Sequence, residues 1–296
     1  MACAASWPPT RSCWRPVRIE RARPVLGTIV SVRAEFDDRR DGEAAVQAAF
    51  DEIAELHSLM SFHSPDSDLA RIARHASEHP VTVDFRTMAV LTFSVRMAEA
   101  SGGAFDPVAA ASAAVAAGVL PRPDGAPQAD PAASWRDLEF DDDRVRLKRP
   151  GWVDLGGVAK GYAVDRAVES LGRAGARQAT VNAGGDLRAH GPETQTVRLR
   201  APGPEEALIE LQDAAVASSG WTVAGMDTIH LDPLTRRLAP AHRFVAVTAG
   251  DCMTADALTK VVLARGDASE ALLRERHAQA HVFDGAAGWR HLGEGG

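Results

Sequence analysis

Hydrophobic positions change period several times along the chain. "VLGTIVSVRAEF" (25–36) alternates and is rich in β-branched residues, which predicts a strand. Residues 43–60 then place Val46, Phe50, Ile53, Leu56 and Met60 on one stripe of an amphipathic helix. In "SPDSDLARIAR" (64–74), Ser64 or Asp66 can cap a second helix whose Leu69 and Ile72 face inward. A third helix is expected over 86–101, stopping at Gly102-Gly103. "PRPDGAPQADPAAS" (121–134) reads as a loop or linker. After it the pattern predicts a strand at 144–148 and a helix in which Tyr162, Val164, Ala167, Val168 and Leu171 recur. Strands are expected at 178–182, 195–200, 209–217, 227–231, 243–248 and 279–283, and a helix at 253–265.

Strands and helices mix without regular βαβ alternation, which favours an α+β fold with mixed or antiparallel sheets and packed helices. No internal repeat is visible. Residues 1–22 are expected to be a flexible arm, and 23–296 a single domain, or two closely joined lobes about the 121–134 loop. A chain of 296 residues can bury a substantial core.

Composition changes this picture little. Hydrophobic content of 45% and charged content of 25% are ordinary for a soluble globular protein. A net charge of −7 without a Lys/Arg run argues against a general nucleic-acid binder. Cys3, Cys13 and Cys252 form no Cys-x-x-Cys pair, so a zinc ribbon is not expected; a Cys3–Cys13 disulfide stays open. The opening 27 residues contain no apolar core of a signal peptide. "VAAASAAVAAGVL" (108–120) is too short to span a bilayer. The chain as written is therefore expected in the cytoplasm, with export as the alternative.

Candidate chemistry starts at "VDLGGVAKGYAVDRA" (153–167), where a strand becomes an amphipathic helix. Free N–H groups and the dipole at a helix N-terminus favour an anion. Gly156 and Gly157 open that backbone to a ligand, and Lys160 in the first turn suits a phosphate. Equally, Asp154 could be an N-cap, the glycines a tight turn and Lys160 a solvated charge. The glycine order matches neither the P-loop nor the dinucleotide fingerprint. "VNAGGDLRAHG" (181–191) is a hairpin turn, or backbone amides plus Asp186 for a ribose or adenine edge. "SGGAFDP" (101–107) is a helix end closed by Pro107, or a ligand edge formed by Ala104, Phe105 and Asp106. "TADALTK" (254–260) holds Asp256 in a first helical turn after a Thr254 cap; beside phosphates, that carboxylate suits Mg²⁺. His75 and His79 lack the Glu placement of H-E-x-x-H and read as surface histidines. No G-x-S-x-G elbow is present.

Taken in order, "VLGTIVSV", "LMSFHSPDSDLARI", "SGGAFDP", "VDLGGVAKGYAVDRAVESL", "TVNAGGDLRAHG", "AVASSG", "HLDP" and "TADALTKVVL" resemble the ApbE-type flavin transferases, from about Arg23 to Gly266. The resemblance implies an FAD:protein FMN transferase that splits FAD with Mg²⁺, releases AMP and esterifies FMN to a Thr or Ser of an acceptor protein. It further implies that Leu26, His63, Ala104, Phe105, Asp106, Asp154, Lys160 and Asp186 contact FAD. Asp256 and Lys160 would be catalytic, and the Gly157 carbonyl, Asp256 and position 260 would face the metal. A hydrolase releasing FMN and AMP, or a weakly catalytic FAD-binding protein, are the alternatives. The chain departs from the family pattern at several places. Leu26-Gly27-Thr28 stands for Met-Gly-Thr, and His63 stands where a Tyr is usual. His230 lies two, not three, before Asp232, "DPLTRR" replaces Asp-Pro-x-Thr-Gly, and Lys260 takes the place of the metal-site Thr.

Overall fold

The computed structural model describes residues 16–201, 207–220, 230–238, 243–285 and 287–293. Two strands, β1 (Val17–Val25) and β2 (Thr28–Phe36), open the fold as a hairpin. Leu26 (φ 57°) and Gly27 (φ 70°) turn it in the left-handed region that two-residue hairpins require. Residues 17–22, expected in the arm, are thus paired strand. The helices α1 (Arg39–Met60) and α2 (Asp68–His75), strand β3 (Val81–Thr82) and helix α3 (Phe85–Ala100) follow. The cap of α2 is neither Ser64 nor Asp66 but Ser67, whose Oγ accepts from the Ala70 N–H at 3.1 Å. Next comes α4 (Pro107–Ala116), where Pro107 begins a helix rather than blocking one. Proline suits a first helical position because its missing N–H would have no helical partner there.

The hairpin β4 (Leu138–Asp141) and β5 (Arg144–Leu147) joins β3 in a small sheet. Then come α5 (Ala159–Arg173), β6 (Gln178–Ala183), β7 (Asp186–His190), β8 (Gln195–Leu199), β9 (Ala207–Leu211) and β10 (Ala215–Gly220). The single strand expected over 209–217 is therefore two, broken near Asp213 at φ 47°. β11 (Leu231–Asp232) pairs with β12 (Arg237–Leu238), and most of the strand expected at 227–231 lies outside the described residues. The remainder is β13 (Arg243–Ala249), α6 (Cys252–Arg265), α7 (Glu270–Glu275), β14 (Gln279–Asp284) and β15 (Gly288–Leu292).

Eight strands form one antiparallel sheet in the order β1-β2-β6-β7-β10-β13-β14-β15. Period-2 alternation assigns its two faces. Val245 and Val247 join the main core under α1, α5 and α6, while Phe244 and Ala246 pack with Ile209 and Leu211 of the β8–β9 hairpin. The 121–134 loop is tied down as Trp152 Nε1 donates to the Pro127 carbonyl at 3.2 Å. Among the described residues, no helix is long and apolar enough to cross a membrane.

Candidate active site

Helices α5 and α6 meet at Gly161. A Cβ there would lie 2.4 Å from the Cys252 carbonyl oxygen, so only glycine permits this approach. Asp165, one turn further along α5, accepts from the N–H groups of Cys252 and Met253, both at 2.8 Å. Arg188 of β7 holds the same carboxylate at 2.9 Å. Burial pushes the Asp165 carboxyl up to about 6, which leaves it ionised at neutral pH against the N-terminus of α6. Sequence reasoning missed Asp165. Its signal was a carboxylate spaced four after Gly161 and three before Val168, on the inward stripe of α5.

This joint brings four charges together. Lys160 Nζ donates to Asp186 Oδ2 and lies 3.7 Å from Asp256 Oδ2. Lys260 Nζ donates to Asp256 Oδ1 at 2.5 Å, to Ser219 Oγ at 2.8 Å and to Thr259 Oγ1 at 3.1 Å. Both carboxylates are fully buried, at 1% and 0% exposure, so neither is a solvated surface charge. Burial alone would lower Lys160, but Asp256 and Asp186 hold it well above its ordinary range. For Asp256, burial is outweighed by Lys160 and Lys260, which keep it below the usual carboxylate range. Asp186 is pushed up by burial and then by Asp256. Asp256 is therefore the firmly ionised member.

The two lysines of this cluster line the floor of a cleft of about 1240 Å³, with both carboxylates behind them. Such a volume exceeds the roughly 300–1,000 Å³ of small-ligand pockets and suits a dinucleotide. Ala104, Phe105, Asp106, Asp154, Gly157, Lys160 and Lys260 all line it. Asp106 also caps α4, its Oδ1 accepting from Val108, Ala109 and Trp135 at 2.9–3.0 Å. Burial raises its carboxyl despite those bonds. Asp154 is not the N-cap of α5; it accepts from the Gly156 N–H at 2.9 Å, and Val158 starts the helix without a side-chain cap. Burial raises the Asp154 carboxyl against that bond and the nearby charges of His63, Lys260 and Lys160.

The Gly184-Gly185 turn needs its glycines, since both have positive φ. Added Cβ atoms there would meet Thr28 Oγ1 at 2.5 Å and Ser218 Oγ at 2.6 Å. Asp186 lies behind Lys160 rather than on the cleft wall, which makes it a supporting residue. Leu26 sits in the first hairpin turn, partly packed on the main core, and His63 is exposed; neither lines the cleft. His230, missed earlier as a site residue, lines it, and its Nε2 is buried without a partner among the described residues. Burial, then the charges of Lys260 and Lys160, push that imidazole down to about 3. It is a neutral group at physiological pH. Cys252 is fully buried and its thiol is pushed well above the ordinary range by burial, which rules out a thiolate nucleophile. Cys3 and Cys13 lie outside the described residues.

Of the groups expected around Mg²⁺, Asp256 is already engaged and position 260 is itself an ammonium. Asp256 Oδ1 is held by Lys260, and Oδ2 accepts from the Gly161 N–H at 3.4 Å. Thr259 Oγ1 donates to the Asp256 carbonyl at 2.7 Å. A magnesium ion takes oxygen donors in near-octahedral geometry. Two ammonium groups beside the same carboxylate oppose such an ion, by roughly 4 kcal/mol per unit charge at 4 Å and an effective dielectric of 20. As arranged, this set does not fit a divalent metal.

A model of the ApbE family matches residues 26–283. The chain belongs to the ApbE family. Among curated relatives, the FAD:protein FMN transferase of Treponema pallidum (strain Nichols) is 30% identical over 308 residues, covering 89% of this chain and 84% of that protein. The FAD:protein FMN transferase of Vibrio cholerae is 27% identical, covering 86% and 84%. Of solved structures, the ApbE protein from Thermotoga maritima aligns with a TM-score of 0.79 at 26% identity, covering 93% of this chain and 97% of that one. The flavin transferase ApbE from Vibrio cholerae gives 0.78 at 22%, covering 94% and 97%. The α+β architecture expected from the sequence is thus the ApbE fold.

Proposed function

We propose that the cleft binds FAD and that the protein moves the FMN half onto a Thr or Ser hydroxyl of an acceptor protein, releasing AMP. The chain is an ApbE-family transferase, and the relatives' names supply the flavin substrate and the protein acceptor. The observation that carries the reading is a dinucleotide-sized cleft with Lys160 and Lys260 at its floor. Paired ammonium groups suit a pyrophosphate, the one strongly anionic part of FAD.

The reaction needs one bond made and one broken. The acceptor hydroxyl oxygen attacks the FMN-side phosphorus, and the bond from that phosphorus to the bridging oxygen breaks. AMP leaves with the electron pair, and the hydroxyl proton passes to solvent or the departing phosphate. Lys160 and Lys260 neutralise charge on the phosphates; Asp186 and Asp256 hold those ammonium groups in place, which is electrostatic preorganisation. His230 offers a neutral nitrogen on the cleft wall. The Mg²⁺ that the family resemblance calls for finds no open donor set, and no step here passes through it.

Incubation with FAD, with and without a Thr-bearing flavin-acceptor domain, tests the proposal by AMP release and covalent flavin. AMP formed only with acceptor, together with labelled acceptor, is the expected result. AMP released equally without acceptor would mean hydrolysis, and FAD bound without AMP would mean a binding protein.

A further inference from the structure

The disagreement between the donor set and a divalent ion has its own explanation in Lys260. Its stem is wedged against Gly157: a Cβ on that glycine would lie 3.3 Å from Lys260 Cε and 3.4 Å from the Phe105 ring. A side chain at 157 would need the lysine stem or the Phe105 ring to give by a few tenths of an ångström, and the stem occupies that space. The i to i+4 step from Asp256 puts both side chains on one face of α6. Three acceptors, Asp256 Oδ1, Ser219 Oγ and Thr259 Oγ1, match the three donors of an ammonium. The tip thus sits on Asp256 and the stem beside Gly157, two of the three positions around which a metal was expected, and Lys260 itself is the third. Within the four-charge cluster two ammonium groups balance the two buried carboxylates, so the Asp256 charge that would attract a dication is already met by lysine.

We infer that Lys260 is a resident cation: it supplies from the chain itself the positive charge that a divalent ion would bring to the FAD pyrophosphate. This rests on the FAD reading above. Ser219 and Thr259 also bond one another at 2.7 Å. One of their bonds to Lys260 can therefore be exchanged for a phosphate oxygen while the hydroxyls remain satisfied. No proton moves; Lys260 acts as a charge and a donor.

Two titrations on the full chain test this. Mn²⁺ binding to the ligand-free protein is followed by loss of the free-ion EPR signal, in wild type, Lys260→Thr and Lys260→Met. FAD affinity is measured by flavin fluorescence in excess EDTA and in saturating Mg²⁺. Wild type is expected to bind FAD equally in both buffers and to take up Mn²⁺ roughly tenfold or more weakly than Lys260→Thr. Lys260→Thr should bind FAD poorly in EDTA and recover with Mg²⁺, while Lys260→Met should stay roughly tenfold weak in both. Wild type binding Mn²⁺ as tightly as Lys260→Thr, or losing FAD in EDTA, would overturn the inference. If wild type binds no FAD in either buffer, the FAD reading fails, and the Mn²⁺ comparison still decides whether Lys260 closes the cation site. Should the variants melt early, the two wild-type titrations decide alone.

Discussion

The floor of the cleft and the β11–β12 hairpin beside it use similar residues in opposite ways. On the floor, charged side chains are held from other elements: Lys160 of α5 by Asp186 of β7, Asp256 of α6 by Lys160 of α5, Lys260 of α6 by Ser219 of β10, and Asp165 of α5 by the start of α6. In the hairpin, among the described residues, Asp232 serves its own turn, accepting from the Leu234 N–H at 2.9 Å and the Thr235 hydroxyl at 2.8 Å. His230, at its start, reaches the cleft with a nitrogen that has no partner among the described residues. A floor tied across elements fixes charge in space before the ligand arrives, which is what electrostatic catalysis requires. A hairpin satisfied by itself can present a group without being part of that frame.

The sharpest break of this comparison is Asp256→Asn. The amide removes the charge shared by Lys160 and Lys260, leaving Asp186 to balance both. Removing one member of a buried ion pair typically costs about 3–5 kcal/mol. Loss of an organised electrostatic contact lowers turnover by roughly 10²–10³. Urea midpoints and AMP release should both fall. A variant with wild-type midpoint and turnover would show that the floor is not an integrated unit.

Asp165→Ala comes next, because it attacks the joint and not the charges. Two N–H groups at the start of α6 lose their partner, and the Arg188 guanidinium keeps Glu169 at 3.8 Å. Hydrogen bonds to charged groups are worth roughly 1.5–3 kcal/mol, so a stability loss of that order is expected. The FAD affinity should weaken as well, since α6 carries Lys260 and α5 carries Lys160. If thermal stability drops but FAD affinity does not, the joint positions nothing that the ligand feels.

The local halves of this architecture were legible in the sequence, and the pairings across it were not. The α1 stripe from Val46 to Met60, the Gly184-Gly185 turn and the α6 helix all follow from nearest-neighbour rules of period, turn and cap. The helix expected over 86–101 does end before Gly102, but α4 was not expected, because proline marks both the end of one helix and the first residue of another. Lys160 was read as facing an anion alone; its partner Asp186 is 26 residues away on another element, which no spacing rule reveals. The Lys260 departure was visible as a substitution. Its meaning needs the three acceptors around the tip, one of which, Ser219, lies 41 residues away on another element where no spacing rule points. Leu26 and His63 do not line the cleft, although the His63 charge is felt at Asp154 on its wall, and a motif match alone does not tell a cleft wall from a neighbouring turn.

His230 gives the smallest expected effect at neutral pH and tests the other side of the comparison. Its folded pKa of about 3 lies below the ordinary value of 6.5, with burial the first cause and Lys260 and Lys160 adding to it. Between those two values the unfolded chain binds a proton that the folded protein does not. By linkage, stability then falls as pH drops from about 6.5 toward 3, and this contribution levels off below. His230→Gln holds no proton in either state, so its acid loss should be shallower while its stability at pH 7 stays close to wild type. Thermal midpoints of both proteins across that range measure the difference. Lys260→Met should move wild type part of the way toward the variant, because one of the two lysine charges that disfavour the imidazolium is gone. Parallel midpoint curves for wild type and His230→Gln would mean that the imidazole is freely protonated, and that the hairpin does not hold a neutral nitrogen against the charged floor.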